Sequence, residues 1–129
     1  MKLSLTLLER SFVIHRLEPD ADIPVSVFSN SFFAITRTNE ELSLVLHESV
    51  EFESDKSDRG WACFKVKGPL EFGLVGVLAG ISSVLAEAGI SIFALSTFDT
   101  DYILVKQEQV KAAHEALMSA GYQVHQGEN

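Results

Sequence analysis

The chain has 129 residues, enough for one domain or for two very small ones sharing a core. Ten Lys and Arg against eighteen Asp and Glu leave a net charge of −8, and the cations are scattered singly. That excludes nucleic acid as a partner and reads first as a solvated acidic surface, while 47% apolar residues and nine Phe supply a core without a disulfide or metal staple.

The opening "MKLSLTLLERSF" carries an apolar run too short and too soon charged for a signal peptide. No later stretch approaches the length of a membrane span, so a cytoplasmic protein is expected. "SFVIHRL", residues 11 to 17, alternates and predicts a strand. "EPDADIP" breaks it with two prolines and three acids, a loop or at best one helical turn. "FFAITRT" and "LSLVLHE" predict two further strands joined by a hairpin-like "NEE". "SDKSDRG", residues 54 to 60, is polar, ends in Gly60 and is the best candidate linker.

Beyond it "WACFKVK" predicts a strand. Its Cys63 is the only cysteine, so no intramolecular disulfide forms, and it reads as an inert strand residue rather than a nucleophile. "GPLEFG" is a loop. "LVGVLAGISSVLAEAG" is a helix, with Leu74, Val77, Leu78, Ile81, Val84, Leu85 and Ala88 at i, i+3/i+4 spacing and Gly89 to end it. "SIFALS" and "YILVK" are strands, "QEQVKAAHEALMSAG" is a second helix closed by Gly121, and "YQVH" is a short last strand. This βαββαβ order is that of an α+β, ferredoxin-like unit, two helices on one face of a four-stranded antiparallel sheet.

The chain also repeats itself. At an offset of sixty residues "FAITRTNEELSLV" (33–45) lies on "FALSTFDTDYILV" (93–105) without a gap, which places Glu41 on Asp101. Both copies read as strand, polar turn, strand. Two modules in tandem are expected, residues 1–60 degenerate and short of helix, residues 61–129 complete.

Three features invite a functional reading. The helix after Gly73 carries Gly76, Ala79, Ser83 and Ala86 opposite its apolar stripe, with Gly80 and Glu87 beside them. Such a face suits packing against the other module or a second subunit, or a ligand at the helix start. "GPLEFG" is either a plain strand-to-helix connection, which is how it reads taken alone, or a lead into a helix N-terminus whose free N–H groups suit a carboxylate or phosphate. It is no Walker loop, since Leu74 and Val75 stand where Lys and Ser or Thr belong, and its glycine spacing fits no dinucleotide fingerprint. Asp99 and Thr100 supply turn chemistry in "STFDTD", but Asp101 opens a strand, where Asp is depleted. It is either a strand-edge charge or a ligand contact. The four histidines show no metal-ligand spacing, and no nucleophile elbow is present. No catalytic site emerges.

"GPLEFGLVGVLAGISSVLAEAGISIFALSTFDTDYILV" resembles the ACT domain, the small ligand-binding regulatory module of amino-acid metabolism. It looks most like the tandem ACT proteins that include the cytosolic arginine sensors of the TOR growth pathway and their small bacterial relatives. The resemblance implies side-by-side sheets and a ligand site between modules. Glu71, Phe72, Gly73 and Leu74 would wrap the ligand backbone, Ser96, Thr97 and Phe98 would supply main-chain and hydroxyl contacts, and Asp101 would face a basic side chain. Where many ACT domains carry Asp-x-Pro-Gly, this chain has Gly68-Pro69-Leu70-Glu71. The sensors are far longer, so their partner surface does not carry over.

The expected function is therefore non-catalytic binding of a small molecule, an amino acid by resemblance, by a regulatory homodimer that needs no cofactor. One alternative is an orphan structural subunit whose site has decayed. Another is an acylphosphatase-like hydrolase, which needs an Arg in the first loop and an Asn to position water. Here that loop has Glu71 and no Arg, and Asn30 and Asn39 fall in the other repeat.

Overall fold

Alternation along one strand organises the larger part of the protein. In "WACFKV", Ala62, Phe64 and Val66 point to one face and Trp61, Cys63 and Lys65 to the other. The first three join Ile103, Val105 and Leu5 beneath two helices, which bring Ile81, Leu85, Ala113 and Leu117 into one core. On each helix the two buried residues are four apart, so they share a face. Burying each such Leu or Ile contributes about 1.5–3 kcal/mol.

The computed structural model describes residues 3–67 and 75–127. Its strands are β1 (Ser4–Leu7), β2 (Phe12–Leu17), β3 (Phe33–Arg37), β4 (Leu42–His47), β5 (Lys56–Val66), β6 (Phe93–Ser96), β7 (Asp101–Lys106) and β8 (Gln123–Gln126); the α-helices are α1 (Val77–Glu87) and α2 (Val110–Ser119). Two compact units result, residues 11–60 and residues 1–10 with 61–129.

In the larger unit the order β5-α1-β6-β7-α2-β8 is the expected ferredoxin-like βαββαβ. Strand pairing runs β8-β1-β5-β7-β6. The sheet thus has a fifth strand that the sequence reading lacked. β1 lies antiparallel to β5 and parallel to β8, occupying the place between the first and last strands of the motif. "LSLTLL" alternates like a strand, with Leu5 fully buried. The N-terminal residues assigned by sequence to the first module therefore pair within the larger unit. α1 ends at Gly89 (φ 76°) and α2 at Gly121 (φ 98°), the left-handed conformation expected of a helix-stopping glycine.

The smaller unit holds the antiparallel strands β3-β4-β2. Between β2 and β3 it has one 3-10 turn, Val25–Ser29, in place of a helix. That turn lies just past the predicted "EPDADIP" loop. Val27, Leu42, Leu44 and Leu46 form its core, with Leu17, Ile23, Ile35 and Phe52 packed around them. The predicted linker "SDKSDRG" is overturned: Lys56–Gly60 are the first five residues of β5. Four of these five side chains are exposed, so composition reads as loop while the backbone is extended strand.

Among the described residues no group of three or more His, Cys, Asp or Glu is placed to hold a metal, and no helix is long and apolar enough to cross a membrane. Burial pushes the Cys63 thiol up to about 12, against smaller opposing effects of a backbone hydrogen bond at Ile103 and the charge of Lys65. It stays protonated at neutral pH and is no nucleophile.

The small-residue face of α1 has a partner at one position. A Cβ on Gly80 would stand 2.9 Å from the Tyr122 hydroxyl, within the same unit. Ala79, Ser83 and Ala86 are exposed. Gly80→Ala is expected to cost about 1–3 kcal/mol by overpacking, offset by about 1 kcal/mol that alanine gains over glycine inside a helix. The cost should shrink in a Tyr122→Phe background, which removes the obstructing oxygen. Equal costs in both backgrounds, read by urea denaturation, would show that Gly80 serves something else.

Buried His15 sets a pH dependence. Its Nδ1 lies 2.9 Å from Ser54 Oγ and its ring packs edge-on against Phe52. Burial, and secondly the charge of Arg59, hold its pKa below the ordinary 6.5. The unfolded chain thus takes up a proton near pH 6.5 that the folded chain refuses. The resulting stability is complete above that pH and declines as pH falls below it. Urea midpoints measured from pH 7.5 to 5 should fall less steeply for His15→Gln than for the unaltered protein; matching slopes would contradict this.

Candidate functional site

β6 and β7 form a hairpin whose pairs run from Phe93↔Leu104 to Ser96↔Asp101. The four residues between the strands, Thr97 to Thr100, close on themselves. The Thr97 N–H donates to the Thr100 carbonyl at 2.8 Å. The Thr97 hydroxyl accepts from the Thr100 N–H and donates to the Thr100 carbonyl, both at 3.2 Å. A threonine side chain here does what a backbone group would do in a tighter turn. Thr100 is itself 5% exposed, and its hydroxyl donates to the carbonyl of Val66, the last residue of β5, at 2.6 Å.

Asp101 follows at once. Its Oδ1 accepts from the Ser96 hydroxyl at 2.5 Å, across the closing pair of the hairpin. Phe98 stands out from the turn, 78% exposed. The structure thus gathers Ser96, Thr97, Phe98 and Asp101 on one turn. Glu71, Phe72, Gly73 and Leu74 lie outside the described residues.

The face on which Asp101 lies is the informative point. Residues 101, 103 and 105 share one side of β7, and Ile103 and Val105 lie in the core beneath the helices. Asp101 therefore ends a core-facing row, half-buried. Depletion of Asp in strands flagged it, but the sequence could not say which face it took.

The smaller unit contains the same turn. The Thr38 N–H donates to the Glu41 carbonyl at 2.9 Å, the Thr38 hydroxyl donates to that carbonyl at 3.3 Å, and the Glu41 N–H donates back to the hydroxyl at 3.1 Å. Thr38 matches Thr97, an offset of 59 rather than 60. The ungapped alignment is one residue out at the turn, and in a strand one residue exchanges the faces. Glu41 thus corresponds to Thr100, and the closing pair Arg37↔Leu42 stands where the other hairpin has Ser96↔Asp101. Leu42 is fully buried in its unit's core. Arg37 donates to the Ala21 carbonyl, and Arg16 donates to the Glu40 carbonyl at 3.2 Å while pairing with Glu18. Where one unit has leucine the other has a carboxylate.

The helix positions complement it. α1 runs out to Gly89, beside the start of β6, so its N-terminus lies at the opposite end of the sheet. Thr100 and Asp101 meet the end of β5 at that same end. α1 starts from Gly76 with no side-chain cap and no acid in its first turn. No side chain of its own first turn compensates its positive end. A carboxylate and a helix N-terminus at one end of a sheet match, respectively, a cation and an anion.

Comparison with known proteins agrees with this architecture. The family model described as ACT domain matches residues 56–119, and a second model, of an N-terminal domain, matches residues 10–50. A protein of Pongo abelii named cytosolic arginine sensor for mTORC1 subunit 1 is 31% identical over 87% of this chain and 37% of its own length, so the chain spans little over a third of that relative. A crystallised protein from Agrobacterium tumefaciens superposes with a TM-score of 0.89 at 34% identity, covering 100% of this chain and 96% of that one. The regulatory subunit of aspartate kinase from Thermus thermophilus shares the fold, with a TM-score of 0.62 at 13% identity, over 94% of this chain and 99% of that one. The chain belongs to the ACT domain family and is related to the cytosolic arginine sensors.

Proposed function

We propose that this protein is a non-catalytic regulatory module that binds an amino acid at the β6–β7 hairpin of its larger unit. The observation that carries the reading is Asp101, an ionisable group ending a core-facing row where the smaller unit has buried Leu42. Keeping a carboxylate there costs burial energy that a leucine would have gained, which a ligand contact offsets. The side chain of a basic amino acid would face Asp101, Ser96 and Thr97 would contact its main chain, and Phe98 would cover it. Glu71, Phe72, Gly73 and Leu74 would wrap the ligand backbone in front of α1, whose N-terminus suits the ligand carboxylate. A relative named for sensing arginine and a fold shared with a regulatory subunit support this class of ligand and role.

The smaller unit, with Leu42 and Arg37 in place of Asp101 and Ser96, would bind nothing in this way, so one ligand per chain is expected. Tandem modules divided near residue 60, a homodimer and a cytoplasmic location complete the proposal. No partner protein is assigned.

A thermal-shift panel of the twenty amino acids tests it, because binding to the native state raises the melting temperature by mass action. L-arginine or another basic amino acid should stabilise the unaltered protein. Titration calorimetry should then give one site per chain. Asp101→Asn should weaken binding by the value of a charged hydrogen bond, about 1.5–3 kcal/mol. If no amino acid stabilises the protein, the orphan-subunit reading replaces this one; equal affinity in Asp101→Asn would remove Asp101 from the site.

A further inference from the structure

The hydrogen bond from Thr100 to Val66 joins two parts of the chain that are 34 residues apart. Both ends of the bond matter. Thr100 is the residue before Asp101, and its backbone N–H and carbonyl are the groups by which Thr97 closes the turn. Val66 ends β5, from which the chain leaves for the segment leading to α1. The hydroxyl is buried and the bond is short, at 2.6 Å, so it is little screened by water. Pairing already ties β5 to β7 as far as Lys65↔Tyr102, and the Thr100 bond carries the tie one step further, into the turn.

The corresponding residue of the smaller unit is Glu41, whose side chain is half-buried and carries no hydroxyl. The turn there closes with the same Thr38 bonds. Turn closure therefore does not require a threonine at the fourth position. What the Thr100 hydroxyl adds is the tether to β5, present in the unit that carries a carboxylate at the next residue.

We infer that Thr100 is a positioning residue for the amino-acid site: by holding the turn against the end of β5, it fixes Asp101 at that end of the sheet. The inference rests on the functional reading above for its ligand, and on the Thr100–Val66 bond for its mechanism. A site whose supporting contacts are lost loosens by fractions of an ångström, which is enough to weaken a charged contact.

The test compares the unaltered protein with Thr100→Val, which keeps the shape and removes the hydroxyl, and Thr100→Ser, which keeps the hydroxyl. The probe is L-arginine, titrated calorimetrically, alongside hydrogen–deuterium exchange of the free proteins. Thr100→Val should bind arginine about fivefold to tenfold more weakly, as expected for one lost hydrogen bond, while Thr100→Ser stays within about twofold. In Thr100→Val the amides of Thr97 and Thr100 should exchange faster, with those of α2 unchanged. A loss shared equally by both variants would mark a packing role and overturn the inference. So would unchanged exchange in Thr100→Val, a result independent of any ligand. If the unaltered protein binds no arginine while the exchange pattern appears as expected, the choice of a basic ligand fails and the tether stands.

Discussion

Antiparallel pairing of β7 with β5 on one side and β6 on the other assigns a face to every side chain of the hairpin. Successive residues alternate, so burying Ile103 and Val105 beneath the helices commits Asp101 to the same side. Shifting β7 by one residue would turn Tyr102 and Lys106 under the helices and take Ile103 and Val105 out of that core, which the hydrophobic term opposes. The carboxylate stands half-buried at the end of that row. It is held where the fold places apolar residues, and Ser96 across the pair supplies its hydrogen bond.

The same constraint explains how two units with one turn chemistry differ one residue beyond the turn. Thr38 and Thr97 close their turns with the same set of bonds, so turn geometry is retained. One step beyond, the core-facing row ends in Leu42 in one unit and in Asp101 in the other. The smaller unit uses that position to complete a core that has few other residues, since a 3-10 turn replaces its helix. The larger unit has two helices over its sheet and can give up a leucine there. β1 adds to that surplus: Leu5 joins the core, and the strand packs so closely on the end of β8 that a Cβ at Gly127 would collide with Thr6.

Much of this was legible in the sequence. The helical spacing of Ile81 and Leu85, the glycines at 89 and 121, and the paired strands around "STFDTD" yield the βαββαβ order directly. The failures share a cause, for side-chain patterns report burial and not backbone pairing. Lys56–Gly60 has strand backbone with exposed polar side chains, so it reads as a linker. Ser4–Leu7 pairs with strands more than fifty residues away, a contact no local pattern contains. The identities of Phe33 with Phe93 and Ala34 with Ala94 favour an offset of sixty, which the turn hydrogen bonds correct by one residue. That single residue moves Asp101 from a counterpart of Glu41 to a counterpart of Leu42, and turns an ambiguous charge into the candidate anchor of a site.

The central claim, that the larger unit alone presents a ligand-binding hairpin, is tested most directly by recording backbone amide NMR spectra during titration with L-arginine. The account predicts shifts concentrated at Ser96–Asp101 and along the start of α1, with Arg37–Leu42 unmoved. Shifts centred on Arg37–Leu42, or spread evenly over both hairpins, would contradict it.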